Sequence, residues 1–513
     1  MKKLFTILSL TFLLQNSTTN AQEIPFTVTK SEVFTDKYKQ STIMSVEDDG
    51  NGGLVIVRSY LGGVFSGSYG YYFEHYDAQM KLIKEFEYDS KRSGVMGIIV
   101  NEDQINVIDF TYVKEQKAYV CNSNSANVND FNFVKKELFS LTSEEVNGFA
   151  FWGNLSSFDS DTGAQMIVNE DKSAFSIIVD IANKNQETHK LYLYDAKLNQ
   201  KFVHEFKRDI KDRKFRYENI DVSKDGNTLY LLGKVYTKEK KKKKEGGKYQ
   251  YELSRITKDG STTQVFDTEE HFSGSLKTII FEDKVTCVGF YSDRNDSRYK
   301  GLCYYELDTK TLAIKNSKYN PFTEQFMIDK YGKNKDKELK FLSFRGISIT
   351  SIGEIVLNAE EYYLTTHYQS TPNGGGFTTY IYHYDDIVSA KLDTKGDIIW
   401  ARNINKRQST SGDDSYISYT STIKDDDTFF FINTGEKVKK LKNDRIQFGQ
   451  TSTKRSNLNI IRIKPNGDFD YQEVLDDKDN EVPFMVSDGA RTNNSTYFIG
   501  RKGKKKQLLK ITL

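Results

Sequence analysis

Lys391-Leu392-Asp393-Thr394-Lys395-Gly396-Asp397-Ile398-Ile399-Trp400-Ala401-Arg402 reads as a strand that ends in a tight turn and returns as a second strand. An Asp/Gly centre between two β-rich runs is a hairpin signal. Related pieces recur along the chain: Tyr76 to Lys81, Tyr194 to Asn199, Ile256 to Gly260, Leu307 to Thr311 and Ile463 to Asp468 each stand between two such runs. A supersecondary unit repeating at tens of residues is the mark of a repeat architecture.

A second recurring piece precedes these turns, an acidic or Gly-bearing bend followed by an apolar strand. Glu47 to Gly50 stands before Leu54 to Val57, Asn101 to Asp103 before Ile105 to Phe110, and Asn169 to Asp171 before Phe175 to Val179. Lys224 to Gly226 precedes Leu229 to Leu232, Glu282-Asp283 precedes Val285 to Phe290, and Ile352 to Glu354 precedes Ile355 to Leu357. Asp425 to Asp427 precedes Phe429 to Ile432, and Asp488-Gly489 with Asn493-Asn494 precedes Tyr497 to Ile499. Each unit then reads as strand A, acidic turn, strand B, variable loop, strand C, Asp/Gly turn, strand D, which is the blade of a β-propeller. The expected fold is all-β: one propeller of eight four-stranded blades, or seven if unit two is irregular, since Asn122 to Asn129 there replaces the Asp turn with a polar loop.

The composition agrees. Aromatic residues make up 13% of the 513, with 32 Tyr and 34 Phe, whereas 5 Pro and 7 Met argue against a disordered chain and a helical bundle. Met1 to Ala21 has Lys2 and Lys3, an apolar run from Leu4 to Leu14 and a small residue at its end, the layout of a signal peptide, with residues 22 to 513 as the propeller. Export follows, to a periplasmic location associated with the outer membrane. No later apolar run approaches the roughly 18 to 20 residues of a membrane span. Three cysteines are too few for a disulfide framework. Cys287 and Cys303 face each other if Ser292 to Ser297 forms the turn between them, and two buried thiols are expected there.

The ends of the chain are predicted to meet. Leu508 to Leu513 has the composition of a strand C with no strand D after it, and Phe26 to Lys30 with Glu32 to Phe34 has strand composition without a partner. Pairing them closes the ring and removes two exposed sheet edges. One connection departs from strand composition: Asn320 as cap, Pro321 at the first position and Gly332 at the exit predict a short helix, with Phe322, Phe326 and Tyr331 laid on the propeller's rim.

A net charge of +2 hides an expected asymmetry. The A to B and C to D turns share one face, which the acidic bends should make negative. The B to C loops open on the other face. They carry Lys238, Lys240, Lys241, Lys242, Lys243, Lys244 and Lys248 in unit four, Lys437, Lys439, Lys440, Lys442, Arg445, Lys454 and Arg455 in unit seven, and Arg501, Lys502, Lys504, Lys505 and Lys506 in unit eight. Runs of like charge are ordinarily solvated tips; as a positive rim they would attract an anionic surface or an acidic protein. Nucleic acid is a poor partner for an exported chain whose lysines lack interleaved aromatics. The loop of unit six, Glu360 to Phe377, adds Tyr362, Tyr363, His367, Tyr368 and Gly374 to Gly376, a composition suited to adaptable contacts and equally to strand ends flanking a tip.

Catalytic signatures are missing from the sequence. The histidines, His75, His189, His204, His271, His367 and His383, show no metal-ligand spacing, and no zinc or other cofactor is expected. Asp159 to Gly163 resembles half a calcium loop but lacks the distal Glu. No nucleophile elbow, phosphate loop or dinucleotide fingerprint stands between a strand and a helix.

Two resemblances bear on function. Leu392 to Trp400 resembles a blade motif of the eight-bladed quinone (PQQ) dehydrogenases, whose blades are locked by a tryptophan after an Asp and Gly turn. The match covers one blade, because Trp152 and Trp400 are the only tryptophans, so the resemblance implies fold and not dehydrogenase activity. In organisation, an exported Lys/Asn/Tyr-rich propeller is similar to periplasmic subunits of outer-membrane export machines, including the plug subunit of the type 9 secretion translocon. The expected function is a non-catalytic interaction scaffold or gating subunit docking on an outer-membrane or other envelope protein through its basic face. The alternative is a glycan-binding or glycan-cleaving propeller with Tyr and carboxylates in its central funnel.

Overall fold

The recurring Asp is a turn device. In the C to D turns, Asp77, Asp195 and Asp393 each accept the backbone N–H groups two and four residues later through Oδ1. Asp308 does the same with Lys310 and Thr311. Asp49 in an A to B turn holds the N–H groups of Asn51 and Gly53. A carboxylate that satisfies two backbone donors replaces a strand partner at the point where the ladder must reverse.

The computed structural model describes residues 23 to 513 apart from 63–68, 90–93, 102, 147–162, 184, 212–213, 237–248, 267–270, 294–297, 371–375, 436, 444, 453–454 and 493. Strands β1 (Thr27–Lys30) and β2 (Phe34–Thr35) come first. Seven four-stranded blades follow in chain order. Blade one is β3 to β6 (Gln40–Asp48, Leu54–Leu61, Tyr69–Tyr76, Leu82–Asp89), and blade two is β7 to β10 (Val95–Asn101, Gln104–Val113, Ala118–Asn127, Val134–Thr142). Blade three is β11 to β14 (Ala164–Val168, Ala174–Asp180, Glu187–Asp195, Gln200–Arg208), and blade four is β15 to β18 (Phe215–Val222, Leu229–Tyr236, Tyr249–Thr257, Gly260–Phe266). Blade five is β19 to β22 (Phe272–Phe281, Lys284–Ser292, Gly301–Leu307, Ile314–Pro321), and helix α1 (Glu324–Tyr331) leads to blade six, β23 to β26 (Leu342–Ile349, Ile355–Ser370, Gly376–Leu392, Ile398–Lys406).

Blade six carries three short additions, β27 (Gln408–Thr410) on β25, and β30 (Lys439–Lys440) with β31 (Ile446–Phe448) continuing from β26. Blade seven is β28 (Thr420–Lys424), β29 (Asp427–Thr434), β32 (Asn457–Ile463) and β33 (Phe469–Leu475). The last sheet takes β34 (Ala490–Arg491), β35 (Ser495–Lys502) and β36 (Lys505–Thr512) from one end of the chain and β1 and β2 from the other. The structure thus holds seven four-stranded blades of contiguous chain and one composite closing sheet, where the sequence alone suggested eight four-stranded blades, the last shared by both termini, with seven as the alternative.

Apolar clusters lie between successive sheets. Val57, Phe73, Val107 and Phe131 fill the space between blades one and two, and Leu193, Phe206, Leu229 and Ile256 that between three and four. Phe290, Leu302, Leu357 and Val388 join five to six. Polar stitches follow the same order. Lys84 reaches the Asn129 and Asp130 carbonyls of the next blade, Lys136 reaches Leu198, Lys201 reaches Asp225, and Asn320 reaches Gly396. Gly396 (φ 85°) and Gly467 (φ 90°) are confined to glycine twice over, because a Cβ there would overlap Tyr304 or Trp400 of the preceding blade. Trp400, the residue behind the quinone-enzyme resemblance, therefore serves as the floor on which blade seven's turn rests.

The predicted closure is present. Thr27 pairs with Thr512 and Lys30 with Leu509, while Phe34 and Thr35 pair with Lys506 and Lys505. The seam is reinforced by Arg58 of β4, fully buried between Asp36 and Glu74. Burial works against that charge, but Glu74 and Asp36 outweigh it and hold the guanidinium pKa above its ordinary value.

Four local expectations need correction. Unit two is regular: Asn122 and Asn124, read as loop, lie in β9 with their amides on the Asp109 carboxylate of β8. The helix begins later than expected, because Asn320 and Pro321 finish β22 and Thr323 is the cap, accepting from the Phe326 N–H at 3.2 Å. Its Phe326 is buried in the cluster that joins blades five and six, as anticipated for a rim element. Cys287 lies opposite Tyr305 and Cys303 opposite Gly289, two positions out of the expected register, and both are free buried thiols. The turn face is mixed in sign, since Lys172, Lys224, Lys395 and Lys464 stand among its carboxylates. The predicted leader, Trp152 and Asp159 to Thr162 lie outside the described residues.

Candidate functional site

One element breaks the repeat. β24 and β25 run 16 and 17 residues, and their register continues unbroken from Tyr362↔Tyr384 to Ser370↔Gly376. β23 accompanies β24 only as far as Glu361 and β27 flanks β25 only at Tyr382 to Tyr384, opposite Tyr362 to Leu364, so Thr365 to Ser370 extend past the last flanking strand by about 20 Å at 3.3 Å per residue. The Tyr- and Thr-rich composition explains the extended backbone. The result is a two-stranded arm on the B to C face.

The arm's two sides differ. Residues alternate across a strand, so Tyr362, Leu364, Thr366 and Tyr368 share a side with their partners Tyr384, Tyr382, Tyr380 and Thr378. Tyr368 is 68% exposed, Tyr380 51% and Leu364 47%. On the other side Tyr363 stacks on His383 with ring centroids 4.4 Å apart, and its hydroxyl donates to Asp385 at 2.9 Å. Burial and that carboxylate push the Tyr363 pKa up to about 12. Phe341, 57% exposed, lies 5.4 Å from the Tyr363 ring.

The base of the arm is fixed by buried charge. Glu360 accepts from Lys406 at 2.6 Å, Arg345 at 2.6 Å and the Ser418 hydroxyl at 2.8 Å, with Glu360 and Lys406 both fully enclosed. Burial pushes the Glu360 carboxyl up, yet Lys406 and Arg345 together hold it below its usual range; for Lys406, burial prevails and lowers the pKa. β27 braces Tyr382 to Tyr384, and Tyr384 donates to Asp414 at 2.7 Å. Helix α1 is tied in through Lys330 to Glu361 and Asp386 and through Asp329 to Arg402. A rigid root under an exposed tip is the construction of a presented surface.

The basic residues fall around the arm unevenly. Lys437, Lys439 and Lys440 are exposed, and β30 places the last two in blade six's own sheet rather than in a free loop. Lys504 and Lys505 are exposed at the β35 to β36 tip, where Lys505 pairs with Glu481. The segment between blades six and seven meets the closing sheet here, since Tyr416 donates to the Arg501 carbonyl at 2.7 Å. Lys506 does not belong with them: it is fully buried, donating to the Lys39 and Gly503 carbonyls at 3.0 Å each. Strand alternation puts it on the inward side with Leu508. Tyr363 is likewise an anchor more than a free contact, whereas His367 and Tyr368 are exposed. Lys240 to Lys244 lie outside the described residues.

One group of side chains among the described residues could hold a cation: Asp180 at the end of β12 with Glu187 and His189 of β13. His189 Nε2 is 2.6 Å from Glu187 and Nδ1 is 4.0 Å from Asp180. The Glu-Thr-His spacing, two residues apart on a strand, was its sequence signal. His75, 2.8 Å from Asp49, is a satisfied strand histidine.

No protein-family profile matches the chain, and no curated protein matches it in sequence. In structure it is similar to the β-propeller domain of the Trilobed protease from Pyrococcus furiosus, at 9% identity and TM-score 0.36 over 87% of this chain and 98% of that one. It is also similar to the WD40 domain of SCAP from fission yeast, at 8% identity and TM-score 0.40 over 94% of each chain. Prolyl oligopeptidase B from Galerina marginata matches at 10% identity and TM-score 0.38, over 90% of this chain and 55% of that one. Likeness at this level carries no argument about fold or activity. The sheet order and the closing seam identify the chain as a β-propeller, and among its described residues no helix is long and apolar enough to cross a membrane.

Proposed function

We propose that this protein is a non-catalytic interaction scaffold of the cell envelope, docking on an outer-membrane protein through the blade-six arm and the basic tips beside it. The observation that carries the reading is the arm: a repeat protein extends one hairpin far beyond its blade, fixes its root with Glu360 and Lys406, and leaves Leu364, Tyr368 and Tyr380 in solvent. Exposed aromatic side chains beside Lys437, Lys439, Lys440, Lys504 and Lys505 suit a partner with an acidic rim and an apolar contact. The signal-like start supports a partner beyond the inner membrane, and a periplasmic subunit similar to the type 9 secretion plug is the specific form of the proposal.

The test is capture from detergent-solubilised envelopes by the full chain and by a variant in which residues 362 to 384 are shortened to a tight hairpin. Stoichiometric recovery of one membrane protein, lost on shortening and weakened by salt, is the expected result. Equal recovery by both chains, or no recovery together with saturable glycan binding, overturns it.

A further inference from the structure

The arm has an edge as well as two sides, and the backbone sets what that edge can pair with. The Tyr362 N–H donates to the Phe341 carbonyl at 2.9 Å, so the polar backbone groups of Tyr362 point to the β23 side. Such groups alternate along a strand and the register runs unbroken from Tyr362 to Ser370, so the N–H and C=O of Leu364, Thr366 and Tyr368 point the same way. β23 stops short of them, and among the described residues no other strand pairs with that side of β24. Sheet edges that remain in solvent are ordinarily guarded by charged side chains, proline or a bulge. Between Leu364 and Tyr368 there is none of the three. The whole arm from Tyr362 to Tyr384 contains no Asp, Glu, Lys or Arg, in a chain that is 28% charged.

Charge returns at the root of that edge. The segment joining α1 to β23 carries Lys333, Lys335, Lys337 and Lys340, which outnumber Asp336 and Glu338, and Glu338 is held by Arg298 at 3.8 Å. Lys333, Lys337 and Lys340 are exposed, and Lys340 stands next to Phe341, the residue at which the vacant strand position begins. A strand lying antiparallel to β24 on this edge is collinear with β23 and runs from the tip towards the root, so its C-terminal end arrives at Phe341 and Lys340. A second copy of this chain fits poorly there: pairing β24 with its own twin brings one arm's tip to the other's Lys340, and the arm has no carboxylate to offer. An uncharged strand with an acidic end is complementary to both parts of the surface.

We propose that the arm engages its partner by strand addition: an uncharged extended segment pairs antiparallel with Leu364 to Tyr368, and acidic residues at its C-terminal end meet Lys340 and Lys337. The inference rests on the docking role of the arm and specifies what is recognised there. Main-chain hydrogen bonds supply the affinity, and the side chains of Leu364, Thr366 and Tyr368 select the residues that lie beside them. The probe is a fluorescent, blocked peptide Thr-Val-Thr-Tyr-Thr-Val-Asp-Glu, with two controls: the same peptide with its central Tyr-Thr replaced by Pro-Pro, and one ending in Asn-Gln. Anisotropy titration with the full chain at low salt should show saturable binding of the probe, none of the proline peptide and weaker binding of the neutral-ended one. Thr366→Pro deletes an outward N–H while sparing the bonds between β24 and β25, and should weaken the probe about fivefold, the worth of one hydrogen bond. Lys340→Glu should weaken it at least about threefold at low salt, with an unchanged thermal midpoint. Absence of saturable binding, equal binding of the proline peptide, or a folded Thr366→Pro that binds as the wild type does overturns the proposal. So does a concentration-dependent dimer abolished by Thr366→Pro, which assigns the edge to a second copy. Should Thr366→Pro fail to fold, the proline peptide and Lys340→Glu decide. Envelope capture that is lost on shortening the arm but survives Thr366→Pro refutes strand addition alone, and leaves the arm's docking role standing.

Discussion

Replacing Lys506 with Met probes the closing seam through a single proton. The amine is enclosed on β36, and burial, partly offset by Asp36 3.9 Å away, moves its pKa from 10.5 down to about 8. Between those values the unfolded chain keeps the proton that the folded chain has released, so stability rises with pH. Below pH 8 both states hold it and the contribution is flat. The whole shift corresponds to about 3 kcal/mol at about 1.4 kcal/mol per pH unit, and linkage over the interval from pH 7.5 to 9 yields about 1 kcal/mol. Urea unfolding at both pH values should therefore show the wild type gaining about 1 kcal/mol that Lys506→Met does not gain. At pH 7.5 the variant should be at least as stable, because a buried ammonium has been exchanged for a thioether stem of similar length. If the variant keeps the wild-type increment, Lys506 is not the titrating group and its assignment as the enclosed lysine of the seam fails.

Four further outcomes follow from particular contacts. Arg58→Met leaves Asp36 and Glu74 buried without their cation and should cost about 3–5 kcal/mol, read as a lowered urea midpoint. Gly396→Ala places a methyl group in the Tyr304 ring and strains a φ of 85°, so a loss of about 2 kcal/mol or more is expected by the same measurement. Thr323→Ala removes the helix cap and should lower stability by about 1 kcal/mol without affecting partner capture. Tyr368→Ser with Tyr380→Ser should weaken partner capture by at least about tenfold, as truncated aromatic anchors do, while the thermal midpoint stays put because both side chains are exposed.

What could be read from the residues alone was whatever is settled locally. Asp77, Asp195, Asp308 and Asp393 announce turns because one carboxylate closes each of them within four residues. The pairing of residues 27 to 30 with 509 to 512 was legible from two strands lacking partners. The arm was half legible: Glu360 to Phe377 stood out in composition, but an exposed hairpin has little buried face to produce alternation, so strand ends and an adaptable loop read equally well. Lys506 was missed because a run of lysines reads as a tip, although alternation with Leu508 marks it as inward. A cavity at the seam was out of reach, for it is formed by residues 31 to 37 against 72 to 87, a meeting that only ring closure brings about.

That closure also sets an order of events in the cell. The seven contiguous blades can assemble one after another in chain order, but the composite sheet must wait for residue 512. Until then Ile43, Val46 and Leu54 on one flank and Phe429, Phe431 and Leu458 on the other stay uncovered, the two halves of a clasp held apart. A chain cut before β36 would be a crescent with two sticky rims, and such crescents would join one another, each lending its final blade to the next.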